Sequence, residues 1–137
     1  MTGEDLARAA AALCGTPFRL NGRDRTHGID CIGLLELALK DAGRPVTLPT
    51  GYRLRLTNPH DWLPDPATCG FCVARPPFRP GDVVLLHIGQ AQAHLVIAGL
   101  SGTWIHAHAG LRRVVISPAM LAGTILGHWR PAPSNDE

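Results

Sequence analysis

The chain lacks the long apolar runs and the charge imbalance that mark two large classes of protein. No apolar stretch approaches the ~18 residues of a membrane-spanning segment, and the first residues are not the cationic, apolar start of a secretory signal. Lys and Arg total 13 and Asp and Glu total 11, a balance that does not indicate nucleic-acid binding from charge. We therefore expect a chain made in the cytoplasm, without membrane insertion and without a nucleic-acid partner.

Cysteine is too scarce for a scaffold held together by disulfides. Four Cys among 137 residues fall below the density of small secreted domains, so the thiols are expected to start reduced. Apolar residues make up 45% and charged residues 18%, which argues against a disordered chain. The length suits one domain with a real hydrophobic core.

Helix signals occupy the first third of the chain. Thr2 and Asp5 form a capping-box pattern ahead of an alanine-rich helix that ends near Gly15. Asp30 can cap a second helix, which is apolar almost all round and stops at Gly43. We expect this second helix to be buried.

Strand signals follow a long stretch of weak pattern. Residues 46–80 are rich in proline and predict a long loop. Helices followed by strands predict an α+β domain over residues 1–130, with N-terminal helices packed on an antiparallel sheet. The predicted strands are 83–86, 94–98, 103–107, 112–116 and 125–129, with one helical turn at 118–121 and a flexible tail at 131–137.

Cys31 stands where the second helix is predicted to begin. The free backbone N–H groups and the helix dipole at such a position favour a thiolate, which is the nucleophile for covalent acyl transfer. The N–H of Cys31 can also help to hold an oxyanion. Gly28 and Gly33 permit close approach of a substrate or of a neighbouring chain segment.

Two histidines on neighbouring predicted strands can serve this nucleophile. His94 would take the proton from Cys31, and His106 would orient the far nitrogen of His94, following the logic of a catalytic triad. His108 lies two residues from His106 and therefore on the same face of the strand. It is the alternative to His106 as the orienting residue.

Five short segments, taken in order, resemble the NlpC family of cell-wall cysteine peptidases, and the resemblance extends over residues 6–129. It implies a reduced papain-like fold, in which a Cys-bearing helix packs on an antiparallel sheet that carries two His. By position, Cys31 matches the nucleophile, His94 the base and His106 the orienting residue. The segments are GTPFR at 15–19, DCIGL at 30–34, PGDVV at 80–84, HLVI at 94–97 and IHA at 105–107.

The resemblance also implies a substrate and a setting. The family cleaves the stem peptide of peptidoglycan, usually between D-glutamate and a diamino acid, and no metal or organic cofactor is implied. The chain most resembles short members encoded with phage tails and gene transfer agents. That likeness implies action at the cell wall or periplasm as a virion or tail component, with a tail hub or baseplate protein as partner. The alternatives are a structural tail-tip component with little or no activity and an acyltransferase on the same fold.

Two positions depart from the family pattern. Phe18 stands where the family commonly has Tyr, and Ile32 stands where it usually has Ser. Loss of the Tyr hydroxyl would cost about tenfold to a thousandfold if that group serves the oxyanion. Both departures bear on rate and specificity rather than on the class of reaction.

Charged loop residues before the nucleophile are candidates for substrate binding. Arg19, with Arg23 and Arg25, can bind carboxylates of an acidic stem peptide, although a solvated loop explains the three equally well. His27 either lines the cleft or is a solvated loop residue, and Asp30 is a further candidate for contact with substrate.

The pair Cys69 and Cys72 has the spacing of a redox motif or of half a metal site. A zinc site needs about four ligands, and the chain offers no second pair. We therefore predict no metal site, and a reversible disulfide after export is the remaining possibility for this pair.

Overall fold

The computed structural model describes residues 1–51, 63, 65–88 and 92–133 of the chain. Two helices and eight strands follow one another within these residues, and one turn of 3-10 helix at Leu100–Gly102 separates two of the strands. In chain order they are α1 (Gly3–Ala11), β1 (Arg23–Asp24), β2 (Gly28–Ile29), α2 (Cys31–Asp41), β3 (Phe71–Val73), β4 (Val83–Ile88), β5 (Gln92–Ala98), β6 (Trp104–His108), β7 (Arg113–Ser117) and β8 (Thr124–Pro131).

Both helices begin at the caps predicted from the sequence. The Thr2 hydroxyl accepts a hydrogen bond from the Asp5 N–H at 3.1 Å, and the Asp5 carboxylate accepts one from the Thr2 N–H at 2.9 Å. Asp30 caps α2 by accepting from the Gly33 N–H at 2.9 Å. The chain leaves α2 through Gly43, whose φ of +93° suits glycine.

Six of the strands form one antiparallel sheet in the order β3-β8-β4-β5-β6-β7, and β1 and β2 form a separate two-stranded ribbon. Strands β4 and β8 shift register between Leu85 and Leu86, where a bulge bends the sheet. The predicted α+β class, with helices packed on an antiparallel sheet, is confirmed. In the part of the chain that the structure describes, no helix is both long enough and apolar enough to cross a membrane.

Both faces of the central strands are covered. In β4, Val83 and Leu85 belong to the main core that includes α1 and α2, while Val84 and Leu86 belong to a smaller cluster. Because alternate side chains point to opposite faces of a strand, residues 83–86 are all apolar rather than alternating with polar ones. The smaller cluster comprises Val84, Leu86, Val96, Ala98 and Trp104, with Phe78, Ile88, Met120 and Leu121 packed against it.

A buried carboxylate joins the start of β4 to the end of β8. Asp82 is fully buried and accepts hydrogen bonds from Arg130 Nε and Nη2, both at 2.8 Å, and from the Arg79 N–H at 3.0 Å. The Nε2 atom of His128 lies 2.7 Å from the same carboxylate. Burial alone would raise the pKa of Asp82, but the hydrogen bonds outweigh it and hold the pKa below its usual range.

The structure differs from the sequence expectations in two connecting segments. The predicted loop 46–80 contains β3, a three-residue strand that pairs with the end of β8; residues 52–62 and 64 of this loop lie outside the described residues. Residues 118–121 form bends rather than the predicted helical turn, and Met120 and Leu121 pack on the smaller apolar cluster instead. Strand β8 extends to Pro131, while residues 134–137 lie outside the described residues.

Candidate active site

Cys31 is the first residue of α2, and the loop before it is held in place by Asp30. The Asp30 carboxylate accepts hydrogen bonds from the Asn21 N–H at 2.7 Å and from the Gly33 N–H at 2.9 Å, and it pairs with Arg23 at 3.2 Å. Asp30 is fully buried. Its position is therefore that of a helix cap which fixes the first turn of α2, where Cys31 lies, and its carboxylate is engaged within the protein rather than presented to a substrate.

Gly33 allows the loop to lie directly against the first turn of α2. A Cβ atom at this position would lie 2.2 Å from the carbonyl oxygen of Gly22, well inside contact distance. The close approach predicted for Gly33 is therefore an approach by a neighbouring segment of the chain.

His94 and His106 meet where strands β5 and β6 stop pairing. The two strands pair at Ile97 with Ile105 and at Ala98 with Trp104. Beyond these pairs, His94 Nε2 lies 3.2 Å from His106 Nδ1, and the two rings are nearly perpendicular at 83° with their centroids 5.3 Å apart. The expectation that adjacent strands bring these imidazoles side by side agrees with this geometry.

A third side chain, which the sequence analysis missed, extends this pair. His106 Nε2 lies 2.8 Å from the hydroxyl oxygen of Ser117, the last residue of β7. The predicted strand ended one residue earlier, at Ile116. The pairing register of β6 and β7 carries the signal for this contact. The direct partner of His106 is Val115, and Ser117, two residues further along β7, lies on the same face of the sheet as Val115.

Two arrangements of the ring hydrogens fit these contacts, and only one of them would let His94 accept a proton from Cys31. The contact of His94 Nε2 with His106 leaves Nδ1 as the nitrogen available to accept a proton from Cys31. For Nδ1 to accept, Nε2 of His94 must carry the hydrogen and donate it to His106 Nδ1. His106 then carries its own hydrogen on Nε2 and donates it to Ser117.

Cys31, His94, His106 and His108 share one open cleft of about 440 Å³, with Phe18 on its wall. Phe18 has no hydroxyl and therefore offers the cleft no side-chain hydrogen-bond donor. The remaining lining residues are apolar or glycine, so none of the cleft-lining side chains that the structure describes carries a fixed charge. They are Ile88, Ala93, Ala107, Ala109, Gly110, Leu121 and Ala122.

Burial sets the resting protonation of the pair. Burial, and then the charge of Asp30, raises the pKa of Cys31 to about 12, although backbone N–H groups of Leu95, Ile32 and Cys31 itself act in the opposite direction. Burial, followed by the neighbouring histidines, lowers the pKa of His94 to about 4. At neutral pH the pair is therefore an uncharged thiol beside an uncharged imidazole.

Burial therefore opposes the thiolate that the start of a helix is expected to favour. The side chain is only 3% exposed, so the loss of hydration outweighs the favourable backbone groups at the start of α2. Burial also lowers the pKa of His106, with His108 adding to the effect.

His108 lines the cleft but contacts His106 rather than His94 among the described ring contacts. Its ring centroid lies 5.8 Å from that of His106, and its Nδ1 accepts a hydrogen bond from the Leu111 N–H at 2.9 Å. The proton of neutral His108 is therefore on Nε2.

The loop residues proposed for substrate binding are not among the described residues that line this cleft. Arg19 is exposed, and His27 is exposed and pairs with Asp24 at 2.9 Å. Arg23 is engaged by Asp30, and Arg25 pairs with Asp41. The three arginines therefore do not form a free cationic cluster at the nucleophile.

The remaining cysteines are free thiols in different surroundings. Cys69 is buried in the main core, whereas Cys72 is exposed on β3 with its sulfur 3.5 Å from the carbonyl oxygen of Arg130. Burial raises the pKa of Cys69. Within residues 1–51, 63, 65–88 and 92–133, no group of three or more His, Cys, Asp or Glu side chains is placed to hold a metal ion.

Most of the chain matches one protein family. The NlpC/P60 family matches residues 15–128, a range that contains the cleft, α2 and most of the sheet. The chain belongs to the NlpC/P60 family. The NlpC-type resemblance seen in the sequence is thereby confirmed, and no curated protein matches the chain.

Solved NlpC/P60 structures share the fold at low sequence identity. NlpC1 from Trichomonas vaginalis has a TM-score of 0.70 at 15% identity, over 94% of this chain and 44% of that one. An NlpC/P60 family protein from Bacillus cereus has a TM-score of 0.68 at 21% identity, over 97% and 41%. The peptidoglycan hydrolase RipB from Mycobacterium tuberculosis has a TM-score of 0.60 at 23% identity, over 93% and 63%. The chain thus spans less than half the length of the first two.

Proposed function

We propose that this NlpC/P60 domain is a cysteine peptidase that hydrolyses peptide bonds in the stem peptide of peptidoglycan. The observation that carries the proposal is the presence of Cys31, His94 and His106 in one cleft, with the two imidazoles in contact. Family membership supports a cell-wall peptidase, and the fold shared with the peptidoglycan hydrolase RipB agrees with it.

The chemistry starts from a neutral pair, so proton transfer must accompany attack. As the Cys31 sulfur bonds to the amide carbon, His94 Nδ1 takes the thiol proton and the carbonyl electrons move to oxygen. The tetrahedral intermediate collapses, the C–N bond breaks, and His94 returns the proton to the leaving amine. Water, deprotonated by His94, then attacks the thioester and releases a carboxylic acid and the free thiol.

The oxyanion needs donors that Phe18 does not provide. We assign the backbone N–H of Cys31 to this role, because it stands in the first turn of α2, where N–H groups have no partner within the helix. His108 Nε2–H is the second donor available in the cleft, and we assign it to contact with the substrate. This assignment follows from its hydrogen bond with Leu111, which occupies the other ring nitrogen.

The scissile bond that we propose joins D-glutamate to a diamino acid. The setting that we propose is a phage-like tail tip, where a hub or baseplate protein would be the partner. The bond follows from the resemblance of segments such as 30–34 and 94–97 to the family, and the setting follows from the likeness to its short tail-associated members. The apolar cleft around Cys31 leaves the carboxylates of such a stem peptide to be bound outside the immediate lining.

Digestion of purified diaminopimelate-type peptidoglycan tests this function. Wild type and Cys31→Ala are incubated with it, and the released fragments are identified by mass spectrometry. We expect defined stem-peptide fragments from wild type alone, with masses that place the break between D-glutamate and the diamino acid. Absence of fragments from folded wild type would overturn the proposed peptidase activity and favour the alternative of a structural tail component. Products joined to an added amine acceptor would favour the acyltransferase.

A further inference from the structure

Ser117 is the outer member of the contact chain that starts at the proposed base. Its hydroxyl oxygen lies 2.8 Å from His106 Nε2, and His106 Nδ1 lies 3.2 Å from His94 Nε2. His106 is only 1% exposed, so its two ring nitrogens depend mainly on these protein contacts for hydrogen bonds. Ser117 itself is partly buried and closes strand β7.

A histidine in the orienting role is ambiguous in a way that a carboxylate is not. Either nitrogen of neutral His106 can carry the hydrogen. With the hydrogen on Nδ1, His106 donates to His94 Nε2, and His94 must then hold its own hydrogen on Nδ1. In that arrangement Nδ1 of His94 has no lone pair with which to take the Cys31 proton.

The productive arrangement places the His106 hydrogen on Nε2, where a buried N–H requires an acceptor. Among the described contacts of His106 Nε2, the acceptor is the Ser117 oxygen. During turnover His94 becomes an imidazolium and donates to His106 Nδ1, which polarises His106 and strengthens its bond to Ser117. The contact therefore gains strength as charge develops.

We propose that Ser117 is a positioning residue that holds His106 in the tautomer which allows His94 to act as the base. This inference rests on the proposed Cys31–His94 chemistry and extends the Cys-His-His set by one residue. Ser117 acts through His106 and does not itself touch the reacting atoms.

The charge environment of His106 is defined by few groups. His94 faces it from β5, His108 adjoins it on β6, and Cys31 shares the cleft from the start of α2 with Asp30 behind it. None of the described cleft-lining residues brings a carboxylate to this cluster. A carboxylate introduced at residue 117 would therefore be a new negative charge next to His106. Its effect on the proton affinity of His106 and His94 could then be measured without interference from another carboxylate of the cleft lining.

Three variants separate hydrogen bonding from shape. Ser117→Thr keeps the hydroxyl, and Ser117→Val has nearly the same shape without it, so the pair forms a matched comparison. We expect Ser117→Val to lower kcat about tenfold to a hundredfold at unchanged KM, and Ser117→Thr to restore most of it. Ser117→Asp should move the acidic limb of the pH profile to higher pH, because its carboxylate favours protonated His106 and His94.

Alkylation of Cys31 by iodoacetamide gives a readout that needs no substrate. The rate is followed across pH on the Cys31 peptide by mass spectrometry, which separates it from the exposed Cys14 and Cys72. We expect slower alkylation at neutral pH in Ser117→Val than in Ser117→Thr, with equal melting temperatures. Equal rates and equal pH profiles in the two variants would overturn the role of Ser117. If wild type cleaves no peptidoglycan while this difference persists, the proposed substrate fails and the positioning role stands.

Discussion

His94 and His106 touch through one nitrogen each, Nε2 to Nδ1 at 3.2 Å, at the point where their strands diverge. In the proposed triad the orienting group is therefore a neutral imidazole and not a carboxylate. A neutral partner stabilises an imidazolium less than an anion does, which agrees with the low pKa of His94. Cys31 and His94 therefore rest uncharged at neutral pH, and in the proposed mechanism their charges develop during the reaction.

The pH dependence of activity follows from this resting state. His94 must be neutral to act as a base, and its pKa of about 4 lies far below the ordinary value. We expect kcat/KM to remain high down to about pH 5 and to show no loss from thiol ionisation up to pH 9, since the pKa of Cys31 is about 12. Rates measured from pH 4 to 10 test this. An acidic limb with its midpoint between pH 6 and 7 would contradict it.

Asp30 has opposite effects on stability and on thiol reactivity. Asp30→Asn keeps a capping side chain but loses the ion pair with Arg23, so we expect a loss of about 1–3 kcal/mol in the free energy of unfolding. Removal of the charge also lowers the pKa of Cys31, so iodoacetamide should alkylate Cys31 faster. Denaturant titration and peptide mass spectrometry measure the two effects. Slower alkylation in this variant would show that the charge does not govern the thiol.

Asp82 controls stability at acidic pH. The pKa of Asp82 is lower in the folded than in the unfolded state. Its contribution to the free energy of unfolding is therefore fully present above the unfolded-state pKa and is lost as the pH falls through the folded-state pKa. Asp82→Asn leaves Arg130 without its anion and should cost about 3 kcal/mol at pH 7. The difference from wild type should shrink below about pH 4. Melting curves at several pH values test this, with the exposed Glu4→Gln as control. A difference independent of pH would refute it.

Gly33→Ala tests the contact that fixes the start of α2. Alanine would favour the helix by about 1 kcal/mol, but its Cβ would meet the Gly22 carbonyl oxygen at 2.2 Å. We expect a net loss of about 1–3 kcal/mol and reduced activity, because the displaced turn carries Cys31. Lys40→Ala, at an exposed position near the end of the same helix, is the control that should retain both properties. Full activity and stability in Gly33→Ala would show that the loop can move at no cost.

Local patterns predicted the parts of the fold that depend on local chemistry. The caps at Thr2 and Asp30 were readable because each cap bonds to a backbone group three residues away. Strand β3 could not be predicted in this way, because three residues carry no periodic signal and their pairing partner is the distant β8. The α+β class could be predicted from the order of the elements alone, with helices first and strands later.

Properties that depend on packing were the ones that sequence reasoning missed. The Cys31 thiolate was expected from the helix terminus, but the depth of burial is set by the sheet and loops around it. Ser117 was missed because its contact with His106 follows from the register of β6 and β7. Arg19 and His27 come before Cys31 in sequence, yet neither is among the described residues that line the cleft.

Hydrolysis of a defined muropeptide by wild type and by Cys31→Ala tests the central claim that Cys31 is the nucleophile. The new free amine is quantified over time, and melting temperatures confirm that both proteins are folded. We expect release of one amine per bond by wild type and a rate at least about 1000-fold lower in Cys31→Ala, at similar stability. Hydrolysis by Cys31→Ala at a rate close to that of wild type would contradict it, because no other residue of the site is assigned to attack the amide carbon.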